Sequence, residues 1–287
     1  MFFFSRIGNT WELMGASWDL LKKDKELLFF PVFSSICCLL VSATFLLPFY
    51  MINENLVPPA QEAPVQEQVI YYGVLFLFYV ANYFVMTYFN AAVIGAAVKR
   101  MMGKNPTLGD GFKFANRRLP QIFGWAIVSA TVGLILRLIE DRSEKVGAIV
   151  AGLLGTVWTL TSFLVIPILV VEGIGPIQSL TKSTKMLKQT WGEQLVSNFS
   201  FGVIFFFLNI PSLILLIGGF FLIAAKEMFV LGVTLIAVGI VLLLLLGIIQ
   251  SCLQSIFQAA LYVFARQGHI EGTGFHDGLM RNSVMHR

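Results

Sequence analysis

FVLGVTLIAVGIVLLLLLGIIQSCLQSIFQAALYVFA, residues Phe229–Ala265, runs for 37 residues without a single Lys, Arg, Asp or Glu. A bilayer core about 30 Å thick is crossed by roughly 20 helical residues, so this stretch can span a membrane and continue beyond it. Five other runs share its character: Phe29–Met51, Val69–Val98, Ile122–Leu136, Val146–Val171 and Leu195–Ala225 are equally free of charge. The expected fold class is therefore all-α, a polytopic helical membrane protein with about six transmembrane helices. Composition agrees: 57% of residues are hydrophobic and 13% charged, where soluble domains carry about 25% charged residues.

The charged segments between these runs set the expected organisation. Residues 1–287 read as a single membrane domain, with spans at 29–51, 69–98, 120–138, 146–172, 195–225 and 229–265 and a flexible cytoplasmic tail at 266–287. The last run exceeds one crossing, which predicts Phe229–Ile249 as the spanning part and Gln250–Ala265 as a less lipid-exposed continuation. The alternative is a break near Gly247 with a re-entrant segment. Asn209 and Pro211 predict a kink in span five, because proline removes a helical hydrogen bond.

Orientation follows from Lys and Arg. The segment Asn53–Gln68 holds three acids and no base, whereas Lys99–Gln121 carries Lys99, Arg100, Lys104, Lys113, Arg117 and Arg118 against Asp110 alone. Putting both termini in the cytoplasm places 16 basic residues inside and 4 outside, the asymmetry that positive-inside topology requires. The expectation is N-in/C-in, with the net charge of +4 reflecting topology and not nucleic-acid binding. Arg6, Glu12, Asp19 and Lys22 interrupt any signal-peptide h-region.

Each pair of spans is preceded by an amphipathic stretch, at residues 9–26, 107–119 and 176–191. The first opens at Asn9 with Glu12 three positions on, the spacing of a capping box, and aligns Trp11, Met14, Trp18 and Leu21. The second opens at Thr107 with Asp110 in the matching place and carries Leu108, Phe112, Ala115 and Leu119. The third opens at Pro176, a favoured first-turn residue, and carries Ile177, Leu180, Leu187 and Trp191. Too short and too charged to cross a bilayer, these segments suit helices lying at the headgroup boundary.

The stretch Phe4-Ser5-Arg6-Ile7, Asn9-Thr10-Trp11-Glu12-Leu13, Ser17-Trp18, Leu21, Asp24-Lys25-Glu26-Leu27 and Phe30-Pro31, with the later Ser183, Leu187-Lys188 and Trp191-Gly192-Glu193, resembles an uncharacterised prokaryotic family of six-span membrane proteins. The resemblance implies a prokaryotic plasma-membrane location. It implies no catalytic residue, since that family is a domain of unknown function.

Two residue sets are candidates for function. Lys113, Arg117, Arg118, Lys182, Lys185 and Lys188 would lie under the inner leaflet, where each charge near an anionic surface is worth about 1 kcal/mol. They are candidate lipid-headgroup contacts, although positive-inside topology alone would also place them there. Asn82 and Asn90 in span two, with Gln250, Gln254 and Gln258 at i, i+4 and i+8 in span six, form polar intramembrane faces. Buried amides need partners, so these faces either glue helices together or line a path for a solute. Ala91, Ala92, Gly95 and Ala96 have the small-xxx-small spacing of a close-packed seam, within a bundle or between copies in a homo-oligomer.

Chemistry is otherwise sparse. Asp24-Lys25-Glu26 reads as a wet junction before span one or as a partner contact. Arg137, Glu140 and Glu172 sit near span ends, so no ionisable group marks a proton path. Cys37, Cys38 and Cys252 lie in apolar runs as inert hydrophobes, and His269, His276 and His286 fall in the glycine-rich tail. With no metalloprotease, nucleophile-elbow or phosphate-loop motif, neither an enzyme nor a cofactor is expected. The leading expectation is a non-enzymatic protein with a lipid-interacting, envelope-maintenance or scaffolding role. The alternative is a small-solute permease or channel along the Asn82, Asn90, Gln250, Gln254 and Gln258 faces.

Overall fold

The computed structural model describes residues 14–52, 64–141, 146–190, 200–224 and 228–267. The Asn9–Glu12 capping box, Trp11, Trp191, the three histidines and the tail from residue 268 onward lie outside the described residues. Within them the chain is helical, with no strand. A short helix α1 covers residues 14–23 and a 3-10 turn covers Lys25–Leu28. They are followed by α2 (Phe29–Ile52), α3 (Val65–Met101), α4 (Leu108–Asn116) and α5 (Leu119–Asp141). Next come α6 (Val146–Ser162), α7 (Val165–Glu172), α8 (Pro176–Thr190), α9 (Ser200–Ala224) and α10 (Phe229–Gln267). Six segments are long and apolar enough to cross a membrane: Lys25–Pro48, Val65–Met101, Leu119–Asp141, Val146–Glu172, Ile204–Ala224 and Phe229–Gln267. The protein is a polytopic, all-α membrane protein.

Two helices are far longer than a bilayer is thick. The 37 residues of α3 and the 39 of α10 reach about 55 and 58 Å at 1.5 Å per residue. Each divides into two regimes. The first half of α10 presents exposed apolar side chains such as Val230, Val238, Val241, Leu244 and Leu245, whereas Cys252–Phe264 is almost wholly buried. In α3, Val69, Ile70 and Leu77 are exposed and Ala91–Val98 is buried. No break occurs at Gly247, and α10 runs continuously into the buried half.

The packed core thus sits at one end of the bundle. It joins the buried halves of α3 and α10 to Leu20 and Leu21 of α1, Leu27, Phe30 of α2, Ala115 of α4, Ile122 and Trp125 of α5, and Val165, Ile168, Leu169 and Val170 of α7. Lys99, Arg100, Lys113, Arg117 and Arg118 lie at this end, hereafter the basic end. Away from it, α6 and α9 expose Ile149, Leu153, Phe206, Phe220 and Phe221, a surface suited to lipid.

The small-residue stripe of α3 belongs to this core. Ala91, Ala92 and Ala96 are fully buried within the single chain, and a Cβ on Gly95 would lie 2.6 Å from Cβ of Phe114 in α4. From the other side, a Cβ on Gly111 of α4 would meet Phe30 at 2.4 Å and the Ala92 carbonyl at 3.0 Å. The stripe is a seam within the bundle. It is covered by the chain itself, with Phe30, Gly111 and Phe114 packed on it.

Span four also departs from its expected continuous 146–172. The helix breaks at Phe163–Leu164, between α6 and α7. Pro167 lacks the N–H that would bond the Phe163 carbonyl and its ring crowds that carbonyl. At the break the Phe163 N–H takes the Leu160 carbonyl at 3.3 Å, and the Leu164 N–H donates to Ser183 Oγ of α8 at 3.2 Å. Ser183 and its neighbour Ser179 are fully buried, and Ile177 is exposed. Much of the face of α8 therefore packs on protein, where the sequence pattern predicts contact with headgroups. In α9, by contrast, the helix continues through Pro211.

Candidate functional site: a basic cleft between α3, α4 and α7

The last turn of α3 ends in a Schellman-type cap. Gly103 adopts φ +74°, the left-handed conformation that glycine takes without penalty. Its N–H donates to the Arg100 carbonyl at 3.0 Å, and the Lys104 N–H donates to the Lys99 carbonyl at 3.2 Å. The turn folds Lys104 back beside the helix end. Three residues on, α4 starts at the capping box the spacing predicts. Asp110 N–H donates to Thr107 Oγ1 at 3.3 Å, while Asp110 Oδ2 accepts from the Thr107 N–H at 2.9 Å and from its hydroxyl at 2.8 Å.

Between these two helix ends and α7 lies a cleft of about 330 Å³. Gly95, Val98 and Lys99 of α3, Met102 and Lys104 of the turn that follows it, Asp110, Lys113 and Phe114 of α4, Arg117, Arg118, and Val170 and Val171 of α7 line it. Five cations face one carboxylate. Lys99 Nζ donates to Asp110 Oδ2 at 2.6 Å, and this bond, with those from Thr107, holds the Asp110 carboxyl well below the usual carboxylate range. The two charges cancel. Arg118 is held by its Nε, which donates to the Val170 carbonyl at 3.0 Å. Its guanidinium lies over Gly173, where a Cβ would fall 2.2 Å from Nη1. Gly173 has φ +70° and ends α7, so both its backbone and its contact with Arg118 require glycine. Gln121 Nε2 donates to the Gly173 carbonyl at 3.2 Å, tying α5 to the same corner. Lys104, Lys113 and Arg117 are exposed and make no ion pair with the described residues.

The six basic residues singled out from sequence separate into three groups. Lys113, Arg117 and Arg118 meet in the cleft. Lys182 donates to Glu172 Oε2 at 2.6 Å, while Glu172 Oε1 accepts from the Tyr262 hydroxyl at 2.9 Å, and Arg266 donates to that hydroxyl at 3.3 Å. Lys182 is therefore committed to a network joining α7, α8 and α10. Lys185 and Lys188 stand on the exposed face of α8. Sequence reasoning counted Lys99 and Lys104 only toward topology. The glycine after the last turn of α3 was the signal that Lys104 turns back toward the helix.

Two of the polar intramembrane residues form hydrogen bonds within the bundle. Asn82 is buried and donates to the Phe78 carbonyl of its own helix at 3.0 Å. Asn90 Oδ1 accepts from the Ser255 hydroxyl at 3.3 Å, a direct bond between α3 and α10. Gln250 and Gln258 are half-buried and Gln254 is exposed. Asp24 forms a two-pronged ion pair with Arg100, through Nε and Nη2, so the Asp24-Lys25-Glu26 junction is bolted to the end of α3. No cluster of three or more metal-ligating side chains occurs among the described residues.

Residues 69–274 match the family model of DUF6159, described as a family of unknown function. No curated protein matches the chain.

Proposed function

The chain belongs to this family of unknown function, and from that premise we propose that it is a non-enzymatic protein of a prokaryotic plasma membrane that engages the lipid phase through its basic end. One observation carries the reading. Cations that pair with none of the described residues stand around the packed end of the bundle, at Lys104, Lys113, Arg117, Lys185 and Lys188, close to where exposed apolar residues such as Met102, Leu119 and Phe123 occur. A surface of that kind suits anionic headgroups beside acyl chains, with each cation worth about 1 kcal/mol. The positive-inside rule then assigns the basic end to the cytoplasm. Reporter fusions after Gln61 and Lys104 are expected to read opposite sides of the membrane, with Lys104 inside. A shared side would overturn the topology.

Native mass spectrometry of protein released from nanodiscs of mixed zwitterionic and anionic lipid tests the lipid role. We expect retained lipid enriched in the anionic species. The quadruple variant Lys113→Glu, Arg117→Glu, Lys185→Glu and Lys188→Glu should abolish that enrichment, because none of the four holds an ion pair with the described residues. Bare protein, or retained lipid in the proportions of the nanodisc, would overturn the reading.

A further inference from the structure

Within that lipid-directed reading, on which this inference rests, we propose that the cleft between α3, α4 and α7 is a discrete binding site for a phosphomonoester group, carried on an amphiphile whose chain leaves past Met102. Charge is the first argument. With Lys99 and Asp110 neutralising one another at 2.6 Å, four cations remain around a single cavity: Lys104, Lys113, Arg117 and Arg118. A monoanion leaves most of that charge unanswered, whereas a phosphomonoester near neutral pH brings up to two negative charges and three acceptor oxygens.

Local structure supplies the second. Lys113 and Arg117 are four residues apart at the end of α4, where like charges repel on one helix face. The capping box does nothing to relieve that repulsion, and no carboxylate of the described residues is paired with either side chain. An anion between them does relieve it.

Preorganisation is the third argument. Arg118 is anchored through Nε to the Val170 carbonyl, which leaves its two terminal nitrogens as a fork suited to phosphate oxygens. Lys104 is positioned by the Gly103 cap. At about 330 Å³ the cavity is larger than a bare inorganic ion needs and falls at the small end of ligand pockets. Val98, Val170 and Val171 make one wall apolar, and Met102, half exposed, opens it sideways. A polar head with an apolar continuation fits this shape; a wholly polar metabolite would leave the wall unused.

The test uses the intact protein in nanodiscs of phosphatidylcholine doped equally with phosphatidic acid and phosphatidylglycerol, which bear a phosphomonoester and a phosphodiester respectively. Native mass spectrometry reads the retained lipid, and a parallel arm titrates glycerol 3-phosphate against thermal unfolding. We expect at least ten-fold preference for phosphatidic acid. Lys113→Gln with Arg117→Gln should remove that head-group preference, whereas Lys185→Gln with Lys188→Gln on α8 should lower the total anionic lipid retained and leave the preference intact. All four side chains are exposed and pair with none of the described residues, and unchanged unfolding temperatures will confirm that the variants are folded. Saturable stabilisation by glycerol 3-phosphate that Lys113→Gln abolishes, without lipid selectivity, would support the phosphate site and assign its source to the soluble phase. Anionic lipid retained without head-group selectivity, and weakened equally by the α8 variant, would overturn the cleft while leaving the lipid role standing. Retention of neither lipid, with no effect of glycerol 3-phosphate, would overturn both.

Discussion

Asp24→Ala is expected to lower the stability of the folded bundle by about 3 kcal/mol, and Arg100→Ala by a similar amount. The Asp24 side chain is only 9% exposed and that of Arg100 20%, and Arg100 also bonds Asn105. Removing one partner of a buried ion pair leaves the other charge desolvated and unanswered, at a cost of roughly 3–5 kcal/mol. The residual exposure of Arg100 argues for the lower end. Because both losses come from one interaction, the double variant should cost little more than either single change. Thermal or denaturant unfolding in a fixed detergent reads all three proteins. Additive losses, or single losses below about 0.5 kcal/mol, would refute a pair that bolts the 14–28 segment to α3.

Gly232→Leu should be as damaging, through sterics alone. A Cβ on Gly232 would lie 2.7 Å from the Gly219 carbonyl oxygen and 2.7 Å from Ile223, and one on Gly219 would lie 2.6 Å from the Gly232 carbonyl. Seven residues further along α10, a Cβ on Gly239 would come within 3.1 Å of the Ser212 carbonyl. Here α9 and α10 touch backbone to backbone, and a backbone cannot step aside as a side chain can. Replacing glycine by a better helix former gains about 1 kcal/mol at most, while overpacking costs typically 1–3 kcal/mol and occasionally more. The clash wins, and the leucine variant should part the hairpin. Gly218 is the control: nothing lies within 4 Å of its Cβ position, so Gly218→Ala should be neutral or mildly stabilising. A cysteine pair across α9 and α10 that cross-links equally well with and without Gly232→Leu would refute the contact.

Much of the fold was legible because bilayer physics is written in long stretches. Six charge-free runs gave six spans, and the excess length of Phe229–Ala265 gave a helix that continues into a less lipid-exposed half. Thr107 with Asp110 gave the start of α4, and Pro176 that of α8. What stayed hidden depends on partners distant in sequence. Pro167 was visible, but an apolar run reads as one span until Ser183, nineteen residues after Leu164, is seen accepting the Leu164 N–H. The stripe Ala91–Ala96 announced close approach without saying to what; Phe30, Gly111 and Phe114 answer that only in three dimensions. Ser212 and Gly219 on one span, with Gly232 and Gly239 on the next, repeat at seven residues. That spacing is a readable signal of an antiparallel seam, passed over in favour of the four-residue pattern. The cleft was half legible, since Val170 and Val171 reach Lys99 and Arg118 only after the chain has crossed the membrane twice more.

The position of the core at the end of α10 also bears on how the protein is made. Ribosomes deliver α10 after α3 and α7, yet Cys252–Phe264 supplies much of the wall against which those two pack. Five spans can enter the bilayer as individually acceptable helices, while the alanine-rich half of α3 waits without its permanent neighbour. Tertiary closure of the base is therefore a late event in biogenesis. It is deferred until Cys252–Phe264 has been made, and a chain interrupted before Cys252 would hold its place in the membrane without ever acquiring its interior.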